Sequence, residues 1–518
     1  MHHRAYFSVA AVTAAAFVIS GCSGGANSDA SATTDTVNMS LTTDPSSFDP
    51  TLARGADDYT VAPLLFDTLL RKDDGGALVG GLASKWEAID ASNYSLQIRG
   101  DAKCSDGTPI TPTVVAASLG RFASPETGSS GRSLAFGAAK PTFAADDASG
   151  TVKVTLSAGW SDFLTGLALP QSAIVCPAGL ADLKGLSAGT VQGAFSGPYT
   201  LKSAQPAVKY EFALRDDYSA WPAFSKPLEG TPAKNLVFTP ISEYSTIATQ
   251  LLAGSLDIGG VADENVARFK DNDGFTQQSA ANNTTYILFN ERPGTAFADK
   301  PDLRKAVAQT IDPKAFSDII SDSRGKPILS VGSENIKCVN TDTSLITPLD
   351  PAAAAKVLAG VKIRIVGTTF LTEGNEYVAE ALRKAGADVD VKSLDNGAWS
   401  ALTGKGGTDW DINVQGDNNL MGTLPSSLLR VMGPPAESGG RNKTGAVNDE
   451  GYAALTAGMN AVDADEQCAA FKKAQASFLK RVDAVPLATL PFVTVAAKGF
   501  SIRQFGEYMD PATIRINK

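Results

Sequence analysis

Residues 7–19 form a mostly apolar run preceded by Arg4, and residues 23–36 are almost all Gly, Ser, Ala, Thr, Asn and Asp. The first is too short to span a bilayer and reads as the core of an export signal. The second cannot bury a core and reads as a flexible tether. From there the hydrophobic period keeps changing. Residues 37–41 alternate as a strand, 44–50 (D-P-S-S-F-D-P) form a turn-rich loop, and 59–70 carry helical spacing through Val61, Leu64, Leu65, Leu69 and Leu70. Alternation returns at 94–99, 151–156 and 208–215, which predicts half-buried strands. Residues 375–385 read as a helix stopped by Gly386, and 387–391 alternate again. Helix passing directly to strand marks a mixed α/β chain, and no internal repeat is present. Apolar positions such as Val378 and Leu382 are assigned to the core.

Composition adds compartment and excludes chemistries. At 518 residues the chain exceeds what one hydrophobic core serves, so two or three subdomains are expected. A net charge of -10 without a basic run excludes a nucleic-acid partner. Ile19, Ser20, Gly21 and Cys22 match the lipobox of bacterial lipoproteins, in which small residues admit the peptidase and the cysteine sulfur takes a diacylglycerol. The expectation is a signal peptide over 1–21, a tether over 22–36 and a lipid anchor on Cys22 at the outer face of the membrane. A signal cut elsewhere, with Cys22 incidental, is the competing reading. Cys104, Cys176, Cys338 and Cys468 remain, an even number in an exported chain. Pairing neighbours gives Cys104 with Cys176 and Cys338 with Cys468; four buried free thiols are the alternative. The wide spacings hold no CxxC, so no zinc site is expected.

His2 and His3 are the only histidines, and both precede the tether. Without imidazole the usual general base and commonest metal ligand are missing, and no metal or other cofactor is expected. Gly185, Ser187 and Gly189 spell G-x-S-x-G, but no Ser-His-Asp triad can be assembled around them. The calcium-like Asp271, Asn272, Asp273, Gly274 run fails as an EF-hand because Phe269 and Ala280 occupy its first and twelfth ligand positions. One enzyme pattern survives the loss of histidine. Residues 323–326, 333–335 and 443–445 read Ser-x-x-Lys, Ser-x-Asn and Lys-Thr-Gly in the order used by penicillin-binding enzymes. That mechanism needs the serine at the start of a buried helix, whereas Ser323 is followed by Gly325 and Pro327, a turn. A serine acyl-transfer enzyme is therefore the weaker of the two function classes.

The stronger class rests on resemblance. Residues 82–122 hold Trp86, a strand ending in Arg99, and a D-G-x-P turn at 106–109 opening a helix. Gly197, Pro198 and Tyr199 precede Asp217, Tyr218 and Trp221, and residues 247–258 read I-A-T-Q-L-L-A-G-S-L-D-I. Residues 286–312 contain L-F-N ending at Asn290, then Arg304 and T-I-D ending at Asp312. Taken in order, these resemble the family 5 extracellular solute-binding proteins, the oligopeptide and dipeptide class. The resemblance implies a two-lobed α/β clamshell, type II-like, with an extra α/β subdomain, closing on its ligand by hinge motion. On that precedent 37–58, 195–261 and 481–518 build lobe I, 59–194 the extra subdomain, and 273–480 lobe II. It also implies a non-enzymatic, monomeric receptor that hands a small polar solute, foremost a short peptide, to an ABC transporter permease; an oligosaccharide or another solute is the alternative.

For the site, residues 409–432 resemble the dipeptide binders' strand and G-D-N loop. The match gives Asp417 the role of receiving a peptide α-ammonium, with Asn418 beside it, a charge-assisted bond of the strong kind. An ordinary Gly-Asp-Asn turn is the competing reading. Phe48, Ala56, Asp57 and Asn290 match family positions near the cleft, although Phe48 fits a core and Asp57 a helix cap equally well. The segment 367–377, where dipeptide binders carry an arginine for the ligand carboxylate, has none.

Overall fold

The computed structural model describes residues 35–517 apart from 74–75, 405, 439 and 506–507. Cys22, the apolar run before it and the tether up to residue 34 lie outside the described residues. No helix among the described residues is long and apolar enough to cross a membrane.

Ten strands make one mixed sheet. Across it run Asp388–Leu394, Lys362–Thr368, Ile412–Asn418, Phe275–Phe289, Ala484–Ala497, Ile258–Val261, Thr36–Leu41, Asn235–Pro240, Lys209–Leu214 and Tyr199–Gln205. The two long central strands divide this sheet between the lobes. Phe275 to Ala280 pair with Ala497 to Phe492 in the first lobe, and Asn283 to Leu288 pair with Leu490 to Ala484 in the second. The register shifts between Ala280 and Asn283, where the partner strand carries Pro491. Proline has no N–H for the ladder, so a register shift is where a central strand tolerates it. Residues 484–490 pair on one side of that shift and 492–497 on the other, with Pro491 between them.

Each half of the sheet buries its own core. Val37, Met39 and Leu41 pack with Leu64, Leu65, Phe212 and Phe238 in the first lobe. Ile287, Phe289, Ile365 and Val414 pack with Val307, Val378 and Leu382 in the second. The extra subdomain is a four-stranded antiparallel sheet of Ala83–Ala88, Asn93–Ile98, Thr151–Leu156 and Pro141–Asp146. Helix Pro112–Ala123 covers it, burying Val115, Leu119 and Phe122. That helix starts where sequence dictates: the Thr111 side chain accepts from the Val114 N–H, and Pro112 fills a first-turn position whose N–H has no partner.

Most predicted elements recur within a residue or two, and one is corrected. The helix expected over 59–70 is Ala56–Leu65, and Leu70–Lys72 is a strand. Phe66 turns extended at φ -137° and ψ 133°, ending the helix. Val61, Leu64 and Leu65 enter the first lobe's core, whereas Leu69 and Leu70 enter that of the extra subdomain. The apolar spacing thus serves two cores, and its helical period across residue 66 is coincidental. The same contacts pack the 56–65 helix with the strands expected in lobe I.

Cys104 is bonded to Cys176 and Cys338 to Cys468, with Cα atoms 6.0 and 4.9 Å apart. Loops of this length lose on the order of 4 kcal/mol of unfolded-chain entropy when closed.

The extra subdomain also grips the second lobe. Lys72 Nζ donates to the carbonyls of Leu420 at 2.7 Å and Met421 at 2.8 Å, and the Thr423 hydroxyl donates to the buried Asp162 carboxylate. Burial pushes the Asp162 carboxyl up to about 6, against the opposing pull of Thr423 and Lys72, and burial pushes the Lys72 ammonium down to about 8. Folded Asp162 holds a proton that the unfolded chain releases near 3.8. Its stabilising contribution is therefore complete below about pH 4 and lost as the pH rises through about 6. Asp162→Asn, neutral throughout, is expected to gain on the wild type by about 2 kcal/mol from pH 4 to pH 7. Melting temperatures of the pair across that range check this; curves that stay parallel rule it out.

Candidate functional site

The strands of an α/β sheet present their carboxyl ends to ligands, because chain crossovers leave a crevice there. Here the residues leaving four strands meet at one cavity: Thr42 after Thr36–Leu41, Ala262 after Ile258–Val261, Thr369 after Lys362–Thr368, and Asn418 at the end of Ile412–Asn418. Two of these strands belong to each lobe. The crossing strands add Asn283, Leu490, Pro491 and Phe492, so the lobes, and the segments that join them, enclose about 470 Å³. This size suits a small solute.

Three of the six residues expected at the ligand line this cavity. Ala56 and Asp57 open the first turn of helix Ala56–Leu65, and Asn418 faces them from the second lobe. Asp57 is fully engaged. Its carboxylate accepts from the N–H groups of Thr42 at 3.0 Å and Thr43 at 2.8 Å, and from both threonine hydroxyls at 2.7 and 2.8 Å. It fixes the loop that forms the first lobe's wall, Oδ2 accepting three of these bonds and Oδ1 one.

The other three lie elsewhere. Phe48 packs against Tyr210, ring centroids 5.9 Å apart, in the first lobe's core. Asn290 is wholly buried and donates to the carbonyls of Gly407 and Trp410, stapling a loop of the second lobe. Asp417 is also wholly buried, and its side chain leaves the strand on the side opposite Asn418, as successive strand residues do. The Tyr286 hydroxyl donates to it at 2.7 Å and Arg430 Nη2 sits 2.8 Å away. The carboxylate assigned to a ligand ammonium is thus held by the protein's own cation. A cation thirteen residues away in sequence carries no spacing signal, so nothing in the local pattern warns of this pair.

The cleft's own cation is Arg324, in the string first weighed as an enzyme motif. Helix Pro313–Ser321 ends at Asp322 and Ser323, both in the left-handed region, and the turn that follows carries Arg324 into the cavity wall. Gly325 permits this approach, since a Cβ there would collide with the Thr489 carbonyl oxygen. Arg324 Nε is buried without a hydrogen-bond partner, and its one ion pair is 3.6 Å from the exposed Asp322. Asn283 Oδ1, on the crossing strand, is likewise buried and unpartnered. The Ser-Lys couple needed for acyl transfer is not formed: the Ser323 hydroxyl donates to Asp318, and Lys326 pairs with Glu334 at 2.6 Å.

Apolar surface completes the cavity. Tyr244 and Phe492 meet edge to face at 6.5 Å, Ile247 and Ile320 flank them, and Phe370 stands 65 % exposed at the rim. A large side chain exposed beside a cavity is an informative exception to burial. Phe370 lies in the very segment that lacked the arginine, and its aromatic character was the signal available there. No group of three or more His, Cys, Asp or Glu is placed to hold a metal among the described residues.

Comparison with known proteins agrees with this architecture. Residues 77–431 match the bacterial extracellular solute-binding proteins, family 5, middle part. The probable D,D-dipeptide-binding periplasmic protein DdpA of Escherichia coli is 27% identical over 392 residues, 72% of each chain. A substrate-binding protein of Microbacterium hydrocarbonoxydans, solved with 4-hydroxybenzoate hydrazide, is 39% identical with a TM-score of 0.82, covering 93% of this chain and 100% of that one. The OppA of Burkholderia pseudomallei shares the fold at 18% identity and a TM-score of 0.76, over 94% of this chain and 100% of its own. With a two-lobed sheet, a ligand-sized cavity between the lobes and a match spanning most of its length, the chain belongs to the family 5 bacterial extracellular solute-binding proteins.

Proposed function

We propose that the protein is the solute receptor of an ABC importer, and that its ligand is a small solute of up to dipeptide size held by a carboxylate or acyl oxygen on Arg324. The observation that carries this reading is the unpartnered Arg324 Nε in the wall of a cavity whose own carboxylate, Asp57, is held by Thr42 and Thr43. A buried donor without a partner is costly, and a ligand oxygen removes that cost. Asn283 Oδ1 offers the matching acceptor for a ligand N–H. Phe370, Phe492 and Tyr244 supply apolar walls for a side chain or ring.

Two relatives support a ligand of this kind. DdpA is described as binding a D,D-dipeptide, and the Microbacterium protein was solved with an aromatic acyl hydrazide. A short peptide and an aromatic acyl compound share a carbonyl or carboxylate beside an apolar group, which is what the cleft offers. Closure then bends the two crossing strands at their register shift. The anchor proposed at Cys22 keeps the receptor at the membrane face near its permease.

Calorimetry of the mature protein against dipeptides, aromatic carboxylates and aromatic acyl hydrazides tests the ligand class. Arg324→Gln is expected to weaken the best of these at least tenfold, about 1.4 kcal/mol. Unchanged affinity removes Arg324 from the site. For the anchor, Cys22→Ser is expected to shift the protein from the membrane fraction to the medium and to abolish labelling by a radioactive fatty acid. Retention of label on another residue would rule Cys22 out.

A further inference from the structure

The face of strand Ile412–Asn418 that turns away from Asn418 carries a charge imbalance. Trp399 Nε1 donates to Asn413 Oδ1 at 2.9 Å, and Asn413 Nδ2 donates to Gln415 Oε1 at 3.1 Å, so this face is a polar ladder ending in Asp417. Three cations gather on it. Arg430 pairs with Asp417, while Arg441 and Lys443 interact electrostatically with Arg430 and with the same carboxylate. Lys443 Nζ sits 3.6 Å above the Trp399 ring and donates to Thr403 Oγ1 at 3.2 Å. Glu437, the acid on the adjoining loop, is taken by Arg292 through contacts of 2.6 and 2.9 Å. One carboxylate therefore faces three cations.

Both guanidinium groups keep an open donor: Arg430 Nε and Arg441 Nε are buried without hydrogen-bond partners. Partly buried cations of like sign repel, and each retains its desolvation cost until an anion neutralises it. Consistent with this, burial and then the Arg430 charge push Arg441 down to about 10, and the same two causes depress Lys443 well below the ordinary lysine range. A guanidinium edge presents two parallel donors that match the two oxygens of a carboxylate, and an indole ring beside it gives a flat wall.

We propose that Arg430, Arg441, Lys443 and Trp399 form a second anion-binding site, on the far side of the strand from the cleft, and that it takes a small carboxylate. The site stands on the second lobe's own residues and does not require Arg324 or any ligand in the cleft. It also gives Asp417 a role: it holds Arg430 in place and partly offsets the surplus charge, setting how strongly an anion is drawn in.

The test uses the mature chain carrying Arg324→Gln, so that the cleft's cation is absent, titrated with benzoate, acetate and inorganic phosphate by calorimetry and thermal shift. Saturable benzoate binding with a rise in melting temperature is expected. Arg441→Gln is expected to weaken it at least fivefold, and Arg441→Lys, which keeps the charge and loses the fork, to weaken it less. Asp417→Asn is expected to strengthen carboxylate binding about threefold, a change in the direction that a merely structural carboxylate would not produce. No saturable binding in the Arg324→Gln background, equal affinity with and without Arg441, or phosphate binding tighter than both carboxylates would overturn the assignment.

Discussion

Everything in this molecule is arranged about the pair of long antiparallel strands that belong to both lobes. A sheet strand normally commits its side chains to one core. These two serve the first lobe on one stretch and the second on the other, and the change of register at Ala280 and Asn283 opposite Pro491 separates the two commitments. The cavity lies at that discontinuity, where ladder pairing is weakest and the carboxyl ends of strands from both lobes come together. On the proposed reading the ligand cavity and the joint between the lobes are therefore the same region, with Asn283 and Phe492 belonging to both.

Around the cavity the protein has spent its carboxylates on itself. Asp57 ties down the loop after the first strand with four donated hydrogen bonds, and Asp417 is occupied by Arg430 and Tyr286. The cations are treated differently. Arg324 lines the cleft with an open Nε, and Arg430 and Arg441 keep open donors behind it. On the proposed reading these open guanidinium donors, beside an ion-paired Asp417 whose Oδ1 makes no hydrogen bond, favour ligand oxygens despite the net charge of -10 on the whole chain. Net charge describes solubility; the local inventory of unmade hydrogen bonds describes recognition.

The sequence was informative where local periodicity and local caps decide the outcome. Strand 151–156, the helix ended by Gly386 and the strand beyond it are readable because a single core dictates their spacing. Residues 66–70 were misread because two cores share one apolar stretch, a fact that only tertiary structure contains. At the site the same distinction holds. The place of Ala56, Asp57 and Asn418 at the cavity follows from their positions beside a helix start and a strand end, but the pairing of Asp417 with Arg430 depends on how a loop folds back, and short-range pattern does not encode it. Arg324 was visible as part of S-R-G-K-P and was judged only as an enzyme motif. Its turn geometry, which spoke against a catalytic serine, is what delivers its guanidinium to the cleft.

The two disulfides divide labour in a further way. Cys104 and Cys176 both lie in the extra subdomain's core, and Cys338 and Cys468 both belong to the second lobe's side of the crossing strands. Neither bridge spans the register shift. Covalent cross-links are thus confined to one side or the other of that shift, while the extra subdomain and the second lobe meet through one buried cluster, Leu134 and Trp160 with Leu424 and Leu455 among it, and through the Lys72 and Asp162 hydrogen bonds. Because neither bridge crosses the register shift, both can restrict the unfolded chain without fixing the angle at which the crossing strands bend.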